Sequence, residues 1–120
     1  MTKVSLSNSR TGESIADYVM LADSFWLRLR GLLKRPQLKT GEGLWLTPCK
    51  QVHMKGMRYP LSIWFITTKG EICHIIDSLE PNKISPKVRE AHSVLEFPAG
   101  WAKRSHTQCG DFIIYLNKRP

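Results

Sequence analysis

Short apolar segments, separated by glycine, proline and polar turns, recur along the whole chain. Each segment is rich in β-branched or aromatic residues, and apolar and polar positions alternate in most of them, as in half-buried strands. The seven segments cover residues 3–7, 15–21, 44–46, 61–67, 71–76, 94–97 and 111–116. This pattern predicts a mainly β (α+β) fold, with an antiparallel sheet curled into a small barrel or packed as a sandwich of about seven short strands.

One segment has the features of a helix rather than of a strand. Asp23 or Ser24 can cap its first turn, apolar residues alternate with arginines through residues 24–30, and Gly31 follows. Glycine is favoured just after a helix because it adopts the left-handed conformation without steric cost. We therefore predict one short helix near residues 24–30. In the second half of the chain, Gly70 is placed to provide the positive φ of a tight hairpin turn.

The size and charge of the chain limit its organisation and its partners. The 120 residues, 42% of them hydrophobic, fit one domain spanning residues 1–120. The net charge is +8, from 18 Lys and Arg against 10 Asp and Glu, which favours acidic partners. The basic region from Arg28 to Lys39 could bind RNA or another anion weakly, but no aromatic platform of the kind found in RNA-binding motifs accompanies it.

Cysteine usage and hydropathy indicate the compartment. Three cysteines, Cys49, Cys73 and Cys109, cannot all pair within one chain, and none lies in a C-x-x-C motif. We interpret them as buried thiols of a reducing compartment. No signal peptide and no transmembrane segment is recognisable, so we expect a cytoplasmic protein. The Cys and His spacings match no zinc motif, and we predict no metal and no cofactor.

The densest group of chemically versatile residues is C-K-Q-V-H-M-K-G-M-R-Y-P-L-S-I-W-F, from Cys49 to Phe65. It places His53 and Arg58 directly before a strand. Two acidic residues could join them: Glu96 lies inside the strand V-L-E-F, and Asp111 begins the last strand. Either carboxylate could instead be solvated or paired with a nearby arginine, because charged side chains on strands are usually exposed.

Six segments in order along the chain resemble domain-of-unknown-function family 192, a family of small prokaryotic proteins. They are R-L-R-G-L-L-K-R (28–35), G-E-G-L-W-L (41–46), C-K-Q-V-H-M-K-G-M-R-Y-P-L (49–61), K-G-E-I (69–72), V-L-E-F-P-A-G (94–100) and C-G-D (109–111). The resemblance covers residues 15–116 and implies a mostly-β domain with a short helix, but no reaction. Arg30, His53, Glu96 and Asp111 match the family pattern. Ser62 departs from it, because the family usually has Asp there, and an activity that needs this Asp would be lost or altered.

These observations predict a domain that binds a small ligand or a protein partner at a polar face around His53. The ligand-binding residues of this hypothesis are Arg30, His53, Arg58 and Glu96, with Asp111 in support. An imidazole both donates and accepts hydrogen bonds, so it suits recognition and acid–base chemistry alike. The alternatives are an enzyme that uses His53 with Glu96 or Asp111, and weak RNA or anion binding through residues 28–39. The sequence does not indicate the oligomeric state.

Overall fold

Seven strands form one sheet in the computed structural model, which describes residues 2–22 and 37–117. Every strand predicted from the sequence is present, and the mainly β fold is confirmed. The strands are β1 (Lys3–Asn8), β2 (Ser14–Ala22), β3 (Glu42–Leu46), β4 (Leu61–Ile66), β5 (Ile72–Leu79), β6 (Ser93–Pro98) and β7 (Ile113–Asn117); the helix α1 (Trp101–Arg104) has four residues.

The sheet has the strand order β5-β4-β6-β3-β2-β1-β7. All neighbours are antiparallel except β2 and β3, which run parallel. A parallel pair needs a crossover connection rather than a tight turn. The helix predicted near residues 24–30 falls in this connection and lies outside the described residues. No helix within residues 2–22 and 37–117 is long and apolar enough to cross a membrane.

The sheet curls until its two edge strands meet at one corner, as in a half-barrel. The residues that precede β5 and β7, Glu71 and Phe112, form an isolated antiparallel bridge. The Ile113 amide donates to the Gly70 carbonyl at 3.0 Å, and the Ile72 amide donates to the Asp111 carbonyl at 2.8 Å. Gly70 has a φ of 84°, as the hairpin turn requires. The sheet is therefore the barrel form of the prediction rather than a sandwich.

Alternate side chains of each strand form two separate apolar clusters on the two faces of the sheet. The interior cluster fills the curled sheet and contains Trp64, Phe97 and Trp101. Trp101, from α1, donates its indole hydrogen to the Ile15 carbonyl at 3.1 Å. The outer cluster lies on the other face and includes Leu44, Leu46, Leu61, Ile63, Phe65 and Val94. Because both faces of the central strands are apolar, β4 is buried at all six positions.

Gly43 on β3 is required by a close approach of Phe97. A Cβ atom at this position would lie 2.5 Å from Phe97 Cε1 and 3.1 Å from the Glu96 carbonyl oxygen. We predict that Gly43→Ala lowers the free energy of unfolding by about 2 kcal/mol, because the interior must shift to accommodate the methyl group. Urea unfolding measures the loss. In a Phe97→Leu background the same substitution should have a smaller effect, and an equal effect there would contradict the steric explanation.

Candidate ligand-binding site

Two loops cover part of the outer cluster and are joined to each other by backbone hydrogen bonds. We call them together the double loop, made of residues 47–60 and 80–92. The Met54 amide donates to the Lys83 carbonyl (2.8 Å), the Ser85 amide to the Val52 carbonyl (2.9 Å) and the Val88 amide to the Lys50 carbonyl (2.9 Å). These bonds hold the backbone of residues 50–54 in place, although no strand of the sheet begins before Leu61 in the Cys49–Phe65 stretch.

Side chains alternate along the double loop between the outer cluster and solvent. Val52 and Met54 are buried in the cluster, and His53 between them is exposed and bridges Ile84 through its backbone. Further along the same loop, Met57 packs against the cluster while Arg58 is exposed. His53 and Arg58 therefore lie on the solvent side of one loop, above the apolar face of the sheet.

Glu96 lies on the sheet, on the face that carries the outer cluster. On β6 it has the same orientation as Val94 and the opposite one to Leu95 and Phe97. Its register partners are Leu44 on β3 and Ile63 on β4, both buried. Glu96 is only 6% exposed, and no hydrogen bond or ion pair reaches its carboxyl group from residues 2–22 and 37–117. Burial raises the pKa of Glu96 from 4.5 to about 7, because the charged form loses its hydration.

Tyr59 provides a second polar group in the same surroundings. Its ring packs against the outer cluster, and its hydroxyl is buried without a hydrogen-bond partner in the described part of the chain. Burial raises the pKa of Tyr59, and the negative charge of Glu96 raises it further. The charge of Glu96 therefore acts on the Tyr59 hydroxyl. Tyr59 is not among the residues predicted for the site, although its position two residues after the packed Met57 places it on the inward side of the loop.

Asp111 is held in a different cluster, at the corner where the barrel closes. Its carboxylate accepts hydrogen bonds from Arg10 Nε (2.6 Å) and Nη2 (3.1 Å), Asn8 Nδ2 (2.8 Å) and the Gln108 amide (2.9 Å). The side chain is 3% exposed. The Arg10 guanidinium is the main cause that lowers the pKa of Asp111 to about 2. Of the roles considered for Asp111 in the sequence, pairing with a nearby arginine is the one observed.

The structure thus groups only part of the predicted site. His53 and Arg58 share the outer side of the double loop, and Glu96 lies on the sheet face that carries the outer cluster. No hydrogen bond or ion pair between described residues connects Asp111 with any of the three. Arg30 lies outside the described residues. Over residues 2–22 and 37–117, no three His, Cys, Asp or Glu side chains are grouped as metal ligands.

One of the three cysteines is not buried as predicted. Cys49 and Cys73 are partly buried and pack against the outer cluster, but Cys109 is exposed, so its predicted burial is wrong. Cys109 lies between the end of α1 and Asp111, in a turn where the Gln108 amide donates a hydrogen bond to the Asp111 carboxylate. A strand-free turn of this kind has no apolar face to bury a thiol.

A shallow groove opens beside the outer cluster, between β5 and residues 86–90 of the double loop. Its volume is about 480 Å³, and it is lined by Cys73, His74, Pro86, Lys87, Val88, Arg89 and Glu90. Cys73 and Val88 also pack against the outer cluster. The groove is therefore a place where this cluster meets solvent, with charges of both signs at its rim.

Ser62 has a defined role on the interior side of β4. It is fully buried, its hydroxyl donates to Asp77 Oδ1 at 2.6 Å, and it accepts the indole hydrogen of Trp64 at 2.8 Å. Asp77 in turn accepts the Ala102 and Lys103 amides at 2.8 and 3.2 Å. These two amides belong to the first turn of α1, where backbone amides have no partner within the helix. The helix α1 itself was not predicted from the sequence. Asp77 on β5 thus supplies a carboxylate directly beside the position where the family usually has one.

This pairing predicts the effect of restoring the family residue. Ser62→Asp places a second carboxylate against Asp77 in a buried site, and we expect a loss of about 2 kcal/mol of folding free energy from the repulsion and desolvation. Asp77→Ser alone removes the acceptor of the Ala102 and Lys103 amides, so its own loss is measured as well. If the two carboxylates repel each other, the double substitution Ser62→Asp with Asp77→Ser should lose less than the two single losses added together. Thermal unfolding of the three variants provides the measurement, and losses that simply add would refute the pairing.

Comparison with known proteins places these features in a family. The sequence model of DUF192, described as "Uncharacterized ACR, COG1430", matches residues 6–115. A crystal structure from Sinorhizobium meliloti 1021, provisionally assigned as a transcription regulator, has a TM-score of 0.80 at 29% identity, covering 95% of this chain and 92% of its own. A protein of unknown function from Novosphingobium aromaticivorans DSM 12444 has a TM-score of 0.78 at 23% identity, covering 93% and 83%. No curated protein matches the chain.

Proposed function

We infer the function of this protein from its own side chains, because the chain belongs to the DUF192 family, whose description names no reaction and no ligand. The feature that carries the inference is the polar pair formed by Tyr59 of the double loop and Glu96 of β6. The Tyr59 hydroxyl is buried without a hydrogen-bond partner in residues 2–22 and 37–117. Glu96, 6% exposed and flanked on the sheet by Leu44 and Ile63, raises the pKa of Tyr59 through its charge. Because buried polar groups in folded proteins are nearly always hydrogen-bonded, the Tyr59 hydroxyl is a group that a bound molecule would satisfy, and the charge of Glu96 would act on the same molecule.

The proposed function is the binding of a small ligand that presents a protonated nitrogen to Glu96. An isolated buried carboxylate is unfavourable, and a cation beside it offsets much of the lost hydration. With a pKa near 7, Glu96 gives up its proton readily when such a cation enters. The Tyr59 ring adds an aromatic face, which also attracts organic cations. The apolar cluster around the pair accommodates the hydrocarbon part of the ligand.

The other predicted residues have distinct roles in this proposal. His53 and Arg58, exposed on the double loop, contact the part of the ligand that remains near solvent. Arg30 is proposed as a further contact of the same face. Asp111 supports the site only through the fold, since its carboxylate is occupied by Arg10, Asn8 and Gln108. A protein partner could use the same face by inserting a lysine or arginine side chain, but the depth of Glu96 favours a small molecule.

Enzymatic use of His53 with Glu96 or Asp111 has less support. General acid–base or nucleophilic catalysis needs the participating side chains within hydrogen-bond reach of each other or of one reacting atom. No hydrogen bond joins any two of these three side chains within the described residues, and Asp111 already has four donors.

Nucleic-acid binding is a second candidate, favoured by two observations. The chain has a net charge of +8, and the Sinorhizobium meliloti neighbour at 29% identity is provisionally assigned as a transcription regulator. Phosphate contacts make such binding strongly salt-dependent. Fluorescence anisotropy with homopolymeric RNA and with duplex DNA tests this candidate. An undetectable complex at low salt removes it.

The ligand proposal is tested with a pair of probes that differ only in charge. We expect n-butylammonium to shift the NMR amide signals of Tyr59 and of β6, and n-butanol to have a much weaker effect. Glu96→Gln should abolish the ammonium response, because the cation loses its counter-charge. Glu90→Gln removes an exposed carboxylate and should leave the response unchanged. Equal shifts with both probes, or a response that survives Glu96→Gln, would contradict the proposed site.

A further inference from the structure

Two of the three cysteines lie on neighbouring backbone segments at the corner where the barrel closes. Cys73 is the second residue of β5, and Cys109 is in the turn that leads to Asp111. The two segments run antiparallel to each other, as the bridge between Glu71 and Phe112 shows. The cysteines are separated by 35 residues in the sequence, and the fold brings their segments together.

A β-bulge at Gly110 sets the register of these two segments. The Ile72 amide donates to the Asp111 carbonyl at 2.8 Å, and the Ile72 carbonyl accepts the Gly110 amide at 2.7 Å. Ile72 thus faces two residues of the other segment, and Gly110 has a φ of 96°, as the first residue of a bulge of this type requires. The next residues along the two segments are Cys73 and Cys109. Opposing residues of an antiparallel pair have Cα atoms about 4.5–5.5 Å apart, a separation that a disulfide can span.

The two thiols differ in their access to solvent. Cys73 is partly buried against the outer cluster, and its thiol donates to the Phe65 carbonyl at 3.4 Å. Burial raises the pKa of Cys73, and the negative charges of Glu90, Cys109 and Glu71 raise it further. Since the charge of Cys109 acts on the Cys73 thiol, the two sulfur atoms are neighbours in space as well as in register. Cys109 is exposed, so a dissolved oxidant reaches it first.

We propose that Cys73 and Cys109 form a reversible disulfide within one chain when the protein meets a hydroperoxide. The Cys109 thiolate attacks one oxygen of hydrogen peroxide, so that an S–O bond forms, the O–O bond breaks, and the other oxygen leaves as hydroxide and takes up a proton. The Cys73 thiol then loses its proton and attacks the Cys109 sulfur, so that the S–S bond forms, the S–O bond breaks and a second water leaves. The two thiols lose two electrons, and one peroxide is reduced to two water molecules. An external dithiol reverses the reaction by exchange.

The bond changes the molecule in two places. It links β5 covalently to the turn beside Asp111, at the corner that otherwise closes through hydrogen bonds alone. It also consumes the thiol of Cys73, which lines the groove together with Lys87 and Arg89. Because the disulfide closes a long loop, from residue 73 to residue 109, it restricts the unfolded chain and should raise the unfolding temperature by about 10 °C.

Treatment of the folded, reduced full chain with hydrogen peroxide tests the pairing. Thiols that remain are alkylated, and peptides are mapped by mass spectrometry without reduction. We expect Cys73 and Cys109 to be joined, Cys49 to be alkylated, and the unfolding temperature to rise by about 10 °C, with dithiothreitol reversing the bond and the rise. Cys49→Ser is the matched control and should behave like the original chain, whereas Cys109→Ser should lose both effects. Three alkylated cysteines, a bond to Cys49, a bond between two chains, or Cys109 oxidised without any bond would overturn the proposal.

The order of the two steps is tested with the single variants and dimedone, a reagent that labels sulfenic acids. In Cys73→Ser the Cys109 sulfenic acid has no thiol beside it, so peroxide should make it accumulate and dimedone should label it. In Cys109→Ser the partly buried Cys73 should remain a thiol under the same treatment. Labelling of Cys73 in Cys109→Ser, with none at Cys109 in Cys73→Ser, would overturn the assigned order.

Discussion

Glu96→Gln is expected to make the protein relatively more stable as the pH rises from 5 to 8. The pKa of Glu96 is raised from 4.5 to about 7 by burial, so the folded protein holds a proton over a range in which the unfolded chain has lost it. Stability conferred by the protonated form is then full below about pH 4.5 and is lost as the pH rises towards 7. A rise of this size corresponds to about 3 kcal/mol. Glutamine stays neutral and is not subject to this loss.

The measurement is the difference in unfolding free energy between the variant and the original chain, by urea unfolding at pH 5, 6, 7 and 8. The difference should change in favour of the variant by about 2.5 kcal/mol over this range. Taking the difference cancels the titration of groups common to both proteins. Glu90→Gln is the control, because it removes a carboxylate that is exposed. A difference that stays constant for Glu96→Gln would show that Glu96 ionises normally, and the proposed binding site would lose its basis.

Asp111→Asn is expected to lower the free energy of unfolding by a similar amount, with the opposite pH dependence. The Asp111 carboxylate receives four hydrogen bonds, two of them from Arg10, and it connects the ends of β1 and β7 where the barrel closes. An amide cannot satisfy all these donors, and we predict a loss of about 3 kcal/mol at pH 6. Because the pKa of Asp111 is lowered to about 2, its contribution is complete above about pH 4 and disappears as the pH falls towards 2.

The acid dependence separates this explanation from a simple packing defect. The stability of the original chain should approach that of Asp111→Asn as the pH falls from about 4 to 2. Guanidinium unfolding at a series of pH values measures the convergence, with Asp17→Asn as the control at an exposed carboxylate. A gap between the two proteins that persists at pH 2 would mean that the charge of Asp111 is not the source of its effect.

The sequence predicted the strands well because local and tertiary preferences agree there. Residues 61–67 and 94–97 are rich in β-branched and aromatic residues, and both fold as central strands. Alternation also placed Glu96 correctly on the face opposite to Leu95 and Phe97. It could not reveal that part of this face is covered, because residues 47–60 and 80–92 are joined to each other by backbone bonds that leave no pattern in the sequence, and they bury Val52 and Met54 against it.

The composition of the site was harder to predict for the same reason. Tyr59 and Asp77 act through contacts with residues distant in the chain, and neither has a motif around it. Asp77 binds Ser62 and the start of α1 across separate elements, so only the folded sheet shows that Ser62 has a carboxylate as its partner. Asp111 illustrates the reverse case, in which a chemically attractive residue is occupied by a fold-specific partner, Arg10.

The central claim is that Glu96 is a buried carboxyl group that titrates near neutral pH and receives a cationic ligand. Its most direct test is a carbon-13 NMR titration of the Glu96 side-chain carboxyl, with Glu96→Gln used to assign the signal. The account predicts a midpoint at about pH 7 in the free protein, as burial requires, and a lower midpoint when n-butylammonium is added. A midpoint near the ordinary value of 4.5, unchanged by the cation, would contradict both the burial of the charge and the proposed function.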